Sequence, residues 1–184
     1  MKKQRIKIVL VSSGAVGAAS SHKQFFKNKN PITQRQVLAS IGQISLLSQY
    51  KILFEKEELL CAQVLATKED FRDRHHYLNM KNCLEGLLKS NVVPIVNEND
   101  VVAIHELMFT DNDELAGLIA TMLDAKALWI LTNVDGIFDR NPADKTAQLI
   151  PSIHPKKDRI EKFILPLKSQ FGRGGMHSKY KTAI

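Results

Sequence analysis

The stretch VVPIVNEND, residues 92–100, runs from apolar into polar text within nine residues. Val92 to Val96 reads as a buried strand, and Asn97 follows at its end. The surrounding text alternates in the same way. Ile6 to Val11 (IKIVLV) is a β-branched run closed by Ser12, Ser13 and Gly14, and Val37 to Phe54 repeats its apolar residues at helical spacing. Cys61 to Leu65 is the next strand, and Lys68 to Ser90 is charged but keeps Phe71, Leu78, Cys83, Leu84, Leu87 and Leu88 near one helical face. Val101 to Phe109 reads as a small β excursion, Glu114 to Leu123 as a helix, and Ala127 to Leu131 (ALWIL) as a further strand ending in Thr132. This βαβα order predicts an α/β fold, with a mostly parallel central sheet carrying helices on both faces.

Composition narrows the function classes. With 184 residues, 44% hydrophobic and 24% charged, the chain falls in the ordinary globular range and suits one domain. No apolar run approaches the ~18 residues of a membrane span, and MKKQRIKIVLVSSG is too short in apolar residues for a secretory signal, so a cytoplasmic protein is expected. Cys61 and Cys83 lack any CxxC or Cys/His ligand spacing and are expected to be small core residues. The net charge of +7 arises in residues 1–54, which hold nine Lys or Arg and no Asp or Glu. That third has only Phe25, Phe26, Tyr50 and Phe54 as aromatics, which argues against a nucleic-acid groove and leaves room for a cleft that takes an anionic small molecule.

In open α/β sheets, ligands bind beyond the carboxyl ends of the strands. Three polar clusters are placed there: SSGAVG (12–17), NEND (97–100) and TNVDG (132–136). Each is also ordinary turn and capping chemistry, so none decides anything alone. Two further stretches add weight, TDND (110–113) and GRGGMHSK (172–179). A glycine-rich turn lets backbone N–H groups approach phosphate oxygens, and a helix starting there adds its positive end; a surface turn is the plainer alternative. Lys179 falls in the first turns of that helix, within reach of a phosphoryl group, although the spacing is not that of a P-loop.

Taken in order, SSGAVG, QVLASIGQ, DFRDRHHYLNMKN, PIVNEND, TDNDELAGLIA, LTNVDGIFDRNP and GRGGMHSK closely resemble the amino acid kinase family, in the branch that phosphorylates the γ-carboxylate of glutamate. The resemblance covers nearly the whole chain. It implies a three-layer sandwich fold, transfer of the ATP γ-phosphate to L-glutamate as the first step of proline synthesis, Mg²⁺ as the accompanying ion, and a homo-oligomer, dimer or tetramer, without nucleic acid or membrane. By the same carry-over, Lys179 is catalytic on the ATP side and Asp113 orients lysines. Ser13, Asn97, Asp100 and Asn112 would hold glutamate, with Asp100 suited to its α-ammonium. Thr132, Asn133 and the segment Arg173, Gly174, Gly175, Met176, His177, Ser178 and Lys179 would contact ATP. No protein ligand for the metal follows from the resemblance.

Departures from the family pattern shape what is expected. Relatives open with a strand ending in a Lys and a glycine loop, and they continue past the Lys179 helix, often into an RNA-binding-like module. Residues 1–184 therefore read as a kinase domain incomplete at both ends, expected to bind ATP weakly, turn over poorly and expose strand edges. Asn133 stands where Asp is usual, Arg173 where Thr is usual, and Thr110 where Gly is usual. A sister kinase acting on UMP, N-acetylglutamate, aspartate or carbamate is one alternative, which the NEND and TDND pair disfavours; a non-catalytic remnant is another. The histidines are expected to do no acid–base work, Arg72 to His76 to form a solvated helix face, and Trp129 to lie in the core.

Overall fold

The computed structural model describes residues 6–21, 30–103, 109, 111–141, 143–154 and 176–183. The chain forms two compact units, Met1–Phe109 and Thr110–Ile184.

The first unit holds β1 (Leu10–Val11), α1 (Ala15–Ala18), α2 (Pro31–Glu55), β2 (Leu60–Ala66), α3 (Glu69–Arg72), α4 (Arg74–Lys89) and β3 (Val92–Glu98). The three strands form an open parallel sheet in the order β1-β3-β2, with helices on both sides. Its register pairs Leu60 with Val92 through Ala66 with Glu98, and Leu10 with Ile95. β3 is central, which explains its unbroken apolar text: Ile95 and Val96 are fully buried, as is Leu84 of α4 above them. The sheet and helix order expected from the alternation is present in this unit.

Local chemistry sets the boundaries that periodicity missed. α2 begins six residues before Val37, because the Asn30 side chain accepts from the Ile32 and Thr33 amides and Pro31 occupies the first helical turn. The expected helix over 68–90 is two helices. Asp73 between them is extended, and its Oδ1 accepts the His76 N–H at 2.8 Å to start α4. α2 is long and apolar enough to cross a membrane by length and composition, and one side of it packs on α1 and β2. Gly42 lies so close to α1 that an added Cβ would stand 1.7 Å from the Ala15 carbonyl oxygen.

In the second unit, α5 (Asn112–Met122) is capped by Asp111, whose Oδ1 accepts the Glu114 N–H at 3.0 Å. It buries Leu115, Ile119 and Met122. α6 (Met176–Ala183) packs against α5, where Gly117 would meet the Thr182 methyl at 2.7 Å if it carried a Cβ. Tyr180 is buried among Ile137, Ile150, Ile153 and Met176.

Three expectations require correction. Ala127–Leu131 forms no strand among the described residues; Trp129 and Leu131 are each 86% exposed, so Trp129 is not a core residue. The apolar composition favours a strand, but among the described residues no ladder partner stands beside it to satisfy its backbone. Cys83 is exposed on α4 and Cys61 half-buried, so neither is a buried core thiol. Finally, Ile6–Ile8 lies outside the β1 ladder, with Ile6 and Ile8 exposed. The β excursion expected over Val101–Phe109 lies largely outside the described residues.

Candidate functional site

Polar groups in the first unit collect where the strands end. β1 runs into Ser12, Ser13 and Gly14; the Ser12 amide donates to the Val96 carbonyl at 2.9 Å, one residue past the ladder. Gly14 then caps α1 at φ 109°, a left-handed conformation suited to glycine. β3 ends in Asn97 and Glu98, and Asn99 to Val102 turn away from it, anchored by the Asn99 N–H on the Ala66 carbonyl at 2.8 Å.

α2 supplies the other side. Arg35, Gln36, Gln43 and Tyr50 recur along one stripe of this helix, and each binds a strand end or the turn that follows it. Tyr50 Oη lies 2.7 Å from Ser12 Oγ. Gln43 accepts from the Asn97 side-chain amide at 2.9 Å, and Gln36 donates to the Val101 carbonyl at 2.7 Å. The Arg35 Nε donates to Asp100 Oδ1 at 3.0 Å, its Nη2 also binds Asp100, and Nη2 reaches Glu98 Oε2 at 3.5 Å. Glu98 is buried, and its Oε1 accepts the Phe109 N–H at 2.8 Å. Burial pushes the Glu98 carboxyl above its ordinary range and Asp100 adds to this, against the Phe109 N–H, Arg35 and Lys68. Phe109 in turn packs edge-on to Phe71, with the Lys68 ammonium 5.9 Å from its ring centre.

In the second unit, Asp113 and Glu114 stand in the first turn of α5, where carboxylates suit the helix dipole. Asp113 Oδ2 accepts from Lys179 Nζ of α6 at 2.8 Å, with both side chains about one-fifth exposed. The Asp111 Oδ2 is buried and has no hydrogen-bond partner among the described residues. Among those residues no three His, Cys, Asp or Glu side chains gather as a metal cage.

The expected site residues divide accordingly. Ser13, Asn97 and Asp100 lie together at the strand ends of the first unit. Ser13 is exposed, while Asn97 is buried and uses its amide on Gln43 and on the Glu98 N–H, 2.8 Å away. Asn112 opens α5 one residue before Asp113. Thr132 and Asn133 are exposed. Met176, His177, Ser178 and Lys179 form the start of α6, with Met176 in the Tyr180 cluster. Arg173, Gly174 and Gly175 lie outside the described residues. Ser12, Glu98 and Asp111 stand in the polar clusters picked out from the sequence but were given no role there, and Arg35, Gln36, Gln43 and Tyr50 were not singled out. A signal existed for the α2 group, because positions 36, 43 and 50 are seven apart and keep to one helical face.

Comparison with known proteins gives the family. The amino acid kinase family profile matches residues 1–184. The glutamate 5-kinase of Bacteroides thetaiotaomicron is 46% identical over 183 residues, covering 100% of this chain and 51% of the relative. That of Chlorobaculum tepidum is 51% identical over 178 residues, covering 97% of this chain and 49% of the relative. That of Caldanaerobacter subterraneus is 40% identical over 177 residues, 96% and 48% of the two chains. The chain thus spans about half the length of the curated relatives it matches. With a parallel sheet, polar strand ends and a family match along its full length, the chain belongs to the amino acid kinase family.

Proposed function

We propose that the protein is a glutamate 5-kinase, transferring the ATP γ-phosphoryl group to the γ-carboxylate of L-glutamate. A γ-carboxylate is already an anion at neutral pH, so the reaction needs no general base. Its difficulty is charge: two anions must meet, and the charge spreading over the transferred phosphoryl must be stabilised by cations and N–H groups. The observation that carries the reading is the pair Lys179–Asp113, in which the carboxylate fixes the ammonium at 2.8 Å and does not need to take a proton. Lys179 would balance charge on the transferring phosphoryl, and Asp113 would hold it in place.

Glutamate is assigned to the strand ends of the first unit. Asp100 suits the α-ammonium, and Ser13 with the adjacent Gly14 and Ala15 backbone suits a carboxylate. Asn97 would act beside them, and Asn112 is assigned to glutamate at the start of α5. Thr132, Asn133 and the segment 173–179 are assigned to ATP, where the amino end of α6 favours phosphate. For Mg²⁺, the buried Asp111 Oδ2 offers one carboxylate oxygen, and ATP phosphates and water would complete the shell, as this ion prefers. When bound, Mg²⁺ neutralises phosphate charge. Exposed Ile44, Ile52 and Leu53 on α2 and Leu60 on β2 support self-association as a dimer or tetramer.

The test is ATP-dependent hydroxamate formation, comparing L-glutamate with aspartate and N-acetylglutamate, alongside phosphate transfer to UMP. L-Glutamate is expected to be the preferred acceptor. Preference for any of the others would overturn the assignment.

A further inference from the structure

Arg35 has a geometry that the roles assigned so far do not use. Its guanidinium is shared between two carboxylates, those of Asp100 and Glu98, through Nε and Nη2. Both carboxylates are buried, at 9% and 6% exposure, whereas the arginine side chain keeps 31%. Its Nη1 makes no hydrogen bond among the described residues, so a donor edge remains for a ligand. Glu98 is itself pinned by the Phe109 N–H, which fixes one end of the guanidinium independently of Asp100. α2 carries Arg35 in its second turn, and the neighbouring Gln36 bond to the Val101 carbonyl holds the helix against the turn that bears Asp100.

An α-amino acid carries an ammonium and a carboxylate on one carbon. A site that offers Asp100 to the ammonium therefore brings the α-carboxylate within about 3 Å of the same place, where it would be repelled by two buried acids unless a cation faced it. One guanidinium serves this purpose, because its planar fork can hold carboxylates on two edges at once. We infer that Arg35 reads the α-carboxylate of the substrate through its Nη1 edge, so that Asp100 and Arg35 together select an α-zwitterion. This inference rests on the glutamate reading. It makes Arg35 a specificity-determining residue, with Glu98 as its positioning partner.

The experiment is a cycle between ligand and residue. Binding of L-glutamate and of 4-aminobutyrate, which lacks only the α-carboxylate, is measured by calorimetry for the wild-type protein, Arg35→Gln and Arg35→Lys, with folding checked by thermal melting. Arg35→Gln is expected to weaken L-glutamate binding at least about tenfold more than it weakens binding of 4-aminobutyrate, whose ammonium still meets Asp100, and Arg35→Lys to recover part of the difference. Equal weakening of both ligands, or no effect on L-glutamate, would overturn the inference and leave the kinase reading standing. Failure of the wild-type protein to bind L-glutamate, with or without ATP, would instead remove the kinase reading and this inference with it.

Discussion

A single buried carboxyl, Glu98, ties together the turn after β3, the α2 guanidinium and the chain at Phe109. Burial holds its folded pKa above the ordinary glutamate value of 4.5. The folded state therefore binds the extra proton, and the stabilisation this contributes is complete below 4.5 and lost as pH rises through the folded value. Glu98→Gln keeps an acceptor for the Phe109 N–H but cannot titrate. Denaturant midpoints followed from acid to neutral pH should fall through that window in the wild-type protein and be flatter in Glu98→Gln; parallel curves would show that Glu98 does not titrate there. At Lys179, truncation to Met should cut phosphoryl transfer by at least about a hundredfold, on the scale of losing one transition-state charge contact. L-Glutamate binding without ATP should be unchanged. A Lys179→Met protein with near wild-type turnover would exclude the lysine from the chemistry. At this scale Asp100 and Asp113 were picked out through the resemblance of their motifs, and Lys179 because it follows a glycine-rich turn; the structure adds the ion pair between Lys179 and Asp113. The seven-residue spacing of Gln36, Gln43 and Tyr50 marks one helical face, but polar residues on a helix read equally as solvent face, and only the fold shows that this face meets the strand ends.

At the scale of elements, two glycines set how closely helices approach. Gly42 lets α2 lie against the Ala15 carbonyl of α1, and no side-chain rotation can relieve a Cβ 1.7 Å from a backbone oxygen. Gly42→Ala should destabilise by about 2 kcal/mol or more and displace the Ser13–Gly14 turn, measurable as a lower urea midpoint. Gly117→Ala meets the Thr182 methyl instead, which can be removed. The single variant should lose about 1–2 kcal/mol, and the double variant Gly117→Ala/Thr182→Ser should regain most of it. Additive losses would show that the two residues are not coupled. The elements most legible in the sequence were β2, β3 and α5, whose apolar text has a partner on the structure. Ala127–Leu131 has equally apolar text and no described partner, and periodicity alone cannot register that difference. The start of α2 and the break at Asp73 were missed because capping is decided by single side chains, Asn30 and Asp73, outside the apolar pattern.

For the whole molecule, each unit carries its own polar cluster: the strand ends after β1 and β3 in the first, and the Lys179–Asp113 pair at the start of α5 and α6 in the second. The proposed kinase reaction requires a glutamate carboxylate oxygen as nucleophile, which isotope transfer detects. L-Glutamate carrying ¹⁸O in its γ-carboxylate is incubated with the protein, ATP, Mg²⁺ and hydroxylamine. If a carboxylate oxygen attacks the γ-phosphorus, the bond to the β,γ-bridging oxygen breaks, ADP leaves and the attacking oxygen becomes the bridging oxygen of an acyl phosphate; hydroxylamine then attacks the carbonyl carbon and expels phosphate with that oxygen attached. The expected result is γ-glutamyl hydroxamate accompanied by inorganic phosphate containing one ¹⁸O. Phosphate released without ¹⁸O would contradict the account.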